Sequence, residues 1–206
     1  NAGVVNISEA AGTRFGLSTY INTTVQLGCN KFPALLIPPV DRACSGVAFF
    51  HNPGAYDSDG DSLSYELTIP ERGGGQLVTG YVSPDDPRFY PGSNSSNEDA
   101  TGPAIFSIDP VTGLIIWDAA GMQGEYNVAF KIIEWRKHPQ TQEWEITSYV
   151  IRDMQIVVED CNNKRPDMVT PLDTCIVAGR VLEATNFLIG SFKQPIKIEG
   201  FFTLFF

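Results

Sequence analysis

The chain has 206 residues, room for one large domain or two small ones, and 43% of them are hydrophobic, enough for a true core. Its formal net charge of −10 and pI near 4.6 make nucleic acid and anionic membrane surfaces poor partners. No apolar run approaches the roughly 20 residues that a membrane helix needs, and Asn1, with neither a leader peptide nor an initiator Met ahead of it, reads as a processed or truncated start.

Residues 1–28 carry two strand-like pieces, 4–7 and 19–27, punctuated by Gly12, Gly16 and Gly28. They read as the end of a preceding domain or as a linker. Seven strand candidates then follow, at 34–37, 47–51, 62–69, 76–81, 105–108 with 114–117, 126–135 and 143–158. In the sixth, Tyr126, Val128, Phe130 and Ile132 fall on one face by period-two alternation. Asp109-Pro110-Val111-Thr112-Gly113 is a turn between two strands. Residues 83–103, rich in Pro, Asp, Asn, Ser and Gly, form a long surface loop. Short strands with frequent turns and no helix–strand alternation predict an all-β, antiparallel Greek-key sandwich.

An internal repeat organises the cysteines. Cys29-Asn30, Pro33, Pro39-Val40-Asp41 and Cys44 are matched by Cys161-Asn162, Pro166, Pro171-Leu172-Asp173 and Cys175, about 130 residues later. A period this long means tandem domains. The first copy runs over 29–160, and 161–206 opens a second, truncated one. Four cysteines allow three connectivities. Equivalent repeat positions predict equivalent disulfides, Cys29–Cys44 and Cys161–Cys175, and hence an oxidising compartment.

Asp57-Ser58-Asp59-Gly60-Asp61 lies between two strand candidates. Alternate carboxylates at a strand end point into one small volume and repel, and a hard, oxygen-seeking cation such as Ca²⁺ relieves that repulsion. The competing reading is a solvated Asp/Gly turn. The loop is not an EF-hand, which needs Gly at its sixth position and Glu at its twelfth.

The segments in hand resemble a cadherin-like or Ig-like sandwich. Asp57-x-Asp59-Gly60-Asp61 between strands, Phe106-Ser107-Ile108-Asp109-Pro110-Val111-Thr112-Gly113-Leu114-Ile115 as a hairpin, Gly124-Glu125-Tyr126-Asn127-Val128 as the sixth strand and Asp160-Cys161-Asn162-Asn163-Lys164-Arg165-Pro166 as a linker are similar to that family's motifs. Residues 51–56 and 150–154 look like segments of large surface proteins of gliding bacteria that leave by type IX secretion. The resemblance implies Ca²⁺ held by Asp57, Asp59 and Glu134, with Asp61 or Asn30 completing the oxygen shell. Asn163 and Lys164 depart from the linker pattern, and Ile189-Gly190-Ser191-Phe192-Lys193 replaces the acidic box in the second copy, which predicts no equivalent metal there.

Three functional classes compete. An enzyme is disfavoured: only His51 and His138 are present, His51 reading as a core residue, and no nucleophile, zinc-protease or phosphate-cradling motif occurs. A carbohydrate-binding module would use Trp117, Trp135, Trp144 and Tyr149 as stacking surfaces, although Trp117 and Trp135 read better as core. The favoured expectation is a secreted, cell-surface adhesion or stalk module linked to gliding motility. Its expected partners are neighbouring domains of the same longer chain, surface glycans or the secretion and motility machinery, with no nucleic acid and no membrane span.

Overall fold

The computed structural model describes residues 3–92 and 95–161, and residues 1–160 belong to one compact unit. In chain order the strands are β1 (Phe15–Gly16), β2 (Thr19–Ile21), β3 (Ala34–Leu35), β4 (Val40–Cys44), β5 (Phe49–His51), β6 (Ala55–Tyr56), β7 (Ser62–Thr68), β8 (Glu71–Arg72), β9 (Gln76–Leu77), β10 (Ile105–Ile108), β11 (Ile115–Asp118), β12 (Gly124–Lys137) and β13 (Trp144–Glu159). The fold is all-β, as the turn-punctuated pattern predicts.

Two sheets make the sandwich. The larger runs β2-β13-β12-β7, with β4 also paired to β13, and the smaller runs β10-β11-β5. The chain passes from β4 to β5, back to β7, over to β10 and β11, and returns through β12 and β13. The chain thus crosses between the sheets at β4–β5, β5–β7, β7–β10 and β11–β12, whereas β10–β11 and β12–β13 are hairpins within one sheet. The long β12–β13 ribbon is the spine. Tyr126, Val128, Phe130 and Ile132 on β12 and Met154, Ile156 and Val158 on β13 are all nearly inaccessible. They meet Phe49, Phe106, Ile115 and Trp117 from the smaller sheet in one core. Trp117 is fully buried, packs edge-on against Tyr126 at 4.7 Å and Phe106 at 5.9 Å, and donates from Nε1 to the Tyr90 hydroxyl at 2.9 Å.

Three expectations need revision. The pairing is not wholly antiparallel, because β4 runs parallel to β13, from Val40 opposite Gln155 to Cys44 opposite Glu159. An edge strand that continues into the opposite sheet, with no hairpin, is free to take that direction. Residues 3–28 add structure to the sandwich unit: β2 extends the larger sheet at Ser148, Tyr149 and Val150, and Val4 bridges to Glu125. The disulfide is Cys44–Cys161, not Cys29–Cys44. The parallel register sets Cys44 opposite Glu159 at the end of β13, two residues before Cys161. Cys29 is an exposed free thiol. Cys161, being bonded to Cys44, is unavailable to Cys175, which lies outside the described residues together with the proposed second copy.

The 109–113 turn forms as its residues dictate. Asp109 Oδ1 accepts from the backbone N–H groups of Val111 and Thr112 at 3.0 and 2.6 Å, and Gly113 takes φ +70°. A Cβ on Gly113 would sit 2.7 Å from the buried Tyr65 ring. Gly113→Ala is therefore expected to cost about 1–3 kcal/mol through left-handed strain and a clash. Urea unfolding checks this, and an unchanged midpoint would contradict it.

Candidate functional site

The acidic loop joins β6 to β7, and its first residue organises it. Asp57 Oδ1 accepts from the N–H groups of Asp59 at 2.9 Å and Asp61 at 2.7 Å, while Gly60 supplies φ +86°. Beside the loop lies Glu134, fully buried on β12 where the β12–β13 register shifts between Glu134 and Trp135. Its Oε2 accepts from the Asn30 amide at 2.8 Å and from the Ser148 hydroxyl. The structure thus gathers Asn30, Asp57, Asp59, Asp61 and Glu134 into one cluster around the start of β7.

Two cations that the sequence reading missed share the cluster. Arg136 makes a two-pronged bond to Asp61, Nε to Oδ1 at 2.6 Å and Nη2 to Oδ2 at 2.8 Å. It also donates to the carbonyls of Leu27 at 2.6 Å and Cys29 at 3.1 Å and to Asn30 Oδ1 at 2.9 Å. Lys31 donates its backbone N–H to Asp59 Oδ2 at 2.7 Å, and its ammonium lies 3.4 Å from Oδ1. That backbone bond, reinforced by the ammonium, holds the Asp59 carboxyl below its usual range. Residues 27–31 are thereby tied to the sandwich.

Four carboxyls face only two basic side chains, Lys31 and Arg136, so two carboxyls lack a basic partner. These are Asp57 and Glu134, close enough to share a proton. Asp57 Oδ2 and Glu134 Oε1 are buried with no hydrogen-bond partner. Facing acceptors without a donor need a proton or a cation between them. Among the described residues, no three His, Cys, Asp and Glu side chains form a ready-made metal cage. Asp59 and Asp61 are turned instead towards Lys31 and Arg136. The orphaned oxygens fit a hard cation; Asp59 and Asp61 can join its shell only by leaving their basic partners.

Burial, then the neighbouring Asp57, pushes the Glu134 carboxyl up to about 7, against the opposing bonds from Ser148 and Asn30. The folded carboxyl therefore keeps its proton to higher pH than the unfolded one. In chelator, stability contributed by protonated Glu134 is expected to be present at pH 4.5 and lost as pH rises towards 7. Thermal melts of wild type and Glu134→Gln across that window check this, since the variant should lose the slope; equal slopes would contradict it.

The other singled-out residues disperse. His51 is buried, with Nδ1 2.9 Å from Asp41 Oδ2, as a core histidine should be. Trp135 donates to Ser64 Oγ at 2.7 Å, and Trp144 is 53% exposed. Tyr149 stacks on Tyr20, with ring centroids 5.4 Å apart.

Fold and cluster together define an all-β sandwich domain with a buried carboxylate–guanidinium centre beside the start of β7. No family model matches the chain, and no curated protein matches it.

Proposed function

We propose that this domain is a calcium-stabilised adhesion or stalk module of a large extracellular, multidomain protein, in the setting of cell-surface adhesion or gliding motility. The observation that carries the reading is the pair of buried, donorless oxygens on Asp57 and Glu134. They sit where residues 27–31 are fastened to the sandwich. Ca²⁺ would be held by Asp57, Glu134 and Asn30, with Asp59 and Asp61 available to it. It would supply the missing positive charge and cross-link the segment to β12, removing freedom at that joint. The Cys44–Cys161 bond fits an oxidising compartment, and among the described residues no helix is long and apolar enough to cross a membrane. The role is binding and mechanical rather than catalytic. Its partners are neighbouring domains of the same longer chain and surface glycans or the secretion and motility machinery.

The Lys31 side chain is 73% exposed, so trypsin reports on this joint directly. Cleavage after Lys31 should be slower in millimolar CaCl₂ than in chelator. Equal rates would count against a calcium-locked joint.

A second reading, a carbohydrate-binding module, rests on Trp144, which is exposed at the start of β13 with the Lys137 ammonium 5.3 Å from its ring centroid. Sugar-dependent quenching of fluorescence that disappears in Trp144→Ala would favour it over a plain spacer.

A further inference from the structure

A second set of donorless oxygens lies away from the acidic loop. Glu71 Oε2, Asp153 Oδ1 and Asn127 Oδ1 are each buried with no hydrogen-bond partner. Glu71 is only 8% exposed. Register brings two of the three together: on β12 and β13, Ala129 is opposite Asp153 and Asn127 is opposite Gln155. Asn127 and Asp153 are therefore diagonal neighbours on one face of the larger sheet, within side-chain reach. This is the face opposite the core residues Tyr126, Val128 and Phe130. Glu71 stands three residues beyond Thr68, the β7 residue paired with Ala129, and β8 is fixed there by pairing of Glu71 with Gly16 and Leu77.

The neighbouring Asn6 and Gln155 amides are already committed. Asn6, 1% exposed, gives its amide to the carbonyls of Val82 at 3.1 Å and Asn127 at 2.8 Å, and its Oδ1 accepts the Asn127 N–H at 2.9 Å. The Gln155 amide goes to Glu125 Oε2 at 2.8 Å. Among the described residues, no ion pair involves Glu71 or Asp153. Two carboxylates and an amide oxygen, all acceptors, are thus enclosed without a compensating positive group. Burying such a set is costly unless a cation satisfies it.

We propose that Glu71, Asp153 and Asn127 bind a second hard divalent cation, at a site independent of the Asp57–Glu134 centre. An all-oxygen donor set selects Ca²⁺ or Mg²⁺ over zinc or copper. Water and backbone carbonyls complete the shell, and the site pins β8 against the β12–β13 ribbon. Burial and then the Glu71 charge push the Asp153 carboxyl up to about 6, which expresses the same lack of positive charge.

The test is calorimetric titration of the whole chain carrying Asp57→Asn, which disables the first centre, with CaCl₂ and separately with MgCl₂. One equivalent of divalent ion is expected to remain, and adding Glu71→Gln or Asp153→Asn should abolish it. Saturation by CaCl₂ alone would assign calcium; saturation by both salts would assign a site that keeps more water. No uptake at millimolar concentration of either salt, or uptake unchanged by both second substitutions, overturns the proposal. Should those double variants fail to fold, wild type decides: two equivalents support the site, and a single equivalent that Asp57→Asn removes overturns it.

Discussion

Replacing both Cys44 and Cys161 with serine is expected to destabilise the domain by about 4–5 kcal/mol, the chain-entropy cost of opening a loop longer than 100 residues. This bond joins β4, near the start of the sandwich, to Cys161, two residues past the end of β13, so it closes a loop over most of the domain. A local Cys29–Cys44 bond would have closed a loop of about 15 residues, worth about 3 kcal/mol in the same model. The single substitution Cys29→Ser should shift stability by no more than about 0.5 kcal/mol, because that thiol is exposed and free. Urea unfolding of the three proteins, with and without reductant, separates the two pairings. A large loss in Cys29→Ser, or reductant insensitivity of the wild type, would contradict the assignment.

The second large effect belongs to Arg136. Its removal leaves Asp61, whose side chain is 3% exposed, without its two-pronged partner and frees the carbonyls of Leu27 and Cys29. Breaking a buried ion pair from one side costs about 3–5 kcal/mol, and Arg136→Ala should fall near the lower end because the guanidinium is 22% exposed. The loss should be largest in chelator. Millimolar Ca²⁺ should restore part of it, because the freed carboxylate of Asp61 becomes available to the metal. Melting temperatures of wild type and Arg136→Ala, each with chelator and with CaCl₂, give the answer by linkage. If calcium raises the variant's midpoint no more than the wild type's, Arg136 does not compete with a cation and the cluster is a structural salt-bridge network.

Much of the sandwich is legible in the sequence because its strands obey simple alternation. Tyr126, Val128, Phe130 and Ile132 announce the core face of β12 before any pairing is known, and Asp109 to Gly113 announces its turn. β4 was hidden by chemistry that suggested something else: Pro39-Val40-Asp41 and Cys44 look like a disulfide loop when Cys29 is taken as the partner. Parallel pairing at an edge leaves no local signal, since the partner strand lies more than 100 residues away. The acidic loop was legible because alternate acids flanked by strands must converge, whereas Glu134 joined it only through the resemblance to the cadherin-like family. Arg136 was not legible, although it stands two residues after Glu134. Alternation at a strand end does not reveal that a register shift between Glu134 and Trp135 will turn the guanidinium towards Asp61. The Glu71–Asp153–Asn127 set was equally invisible, since nothing local marks that β8 pairs with β1 close to the β12–β13 ribbon.

In the proposed function, a cation bridges the buried oxygens of Asp57 and Glu134. Calorimetric titration of the wild type with CaCl₂, beside Asp57→Asn and Glu134→Gln, tests it most directly. The account predicts that each substitution removes one equivalent of calcium relative to wild type while the far-ultraviolet spectrum of the sandwich is retained. Calcium uptake that is absent from the wild type at millimolar concentration, or identical in all three proteins, would contradict it.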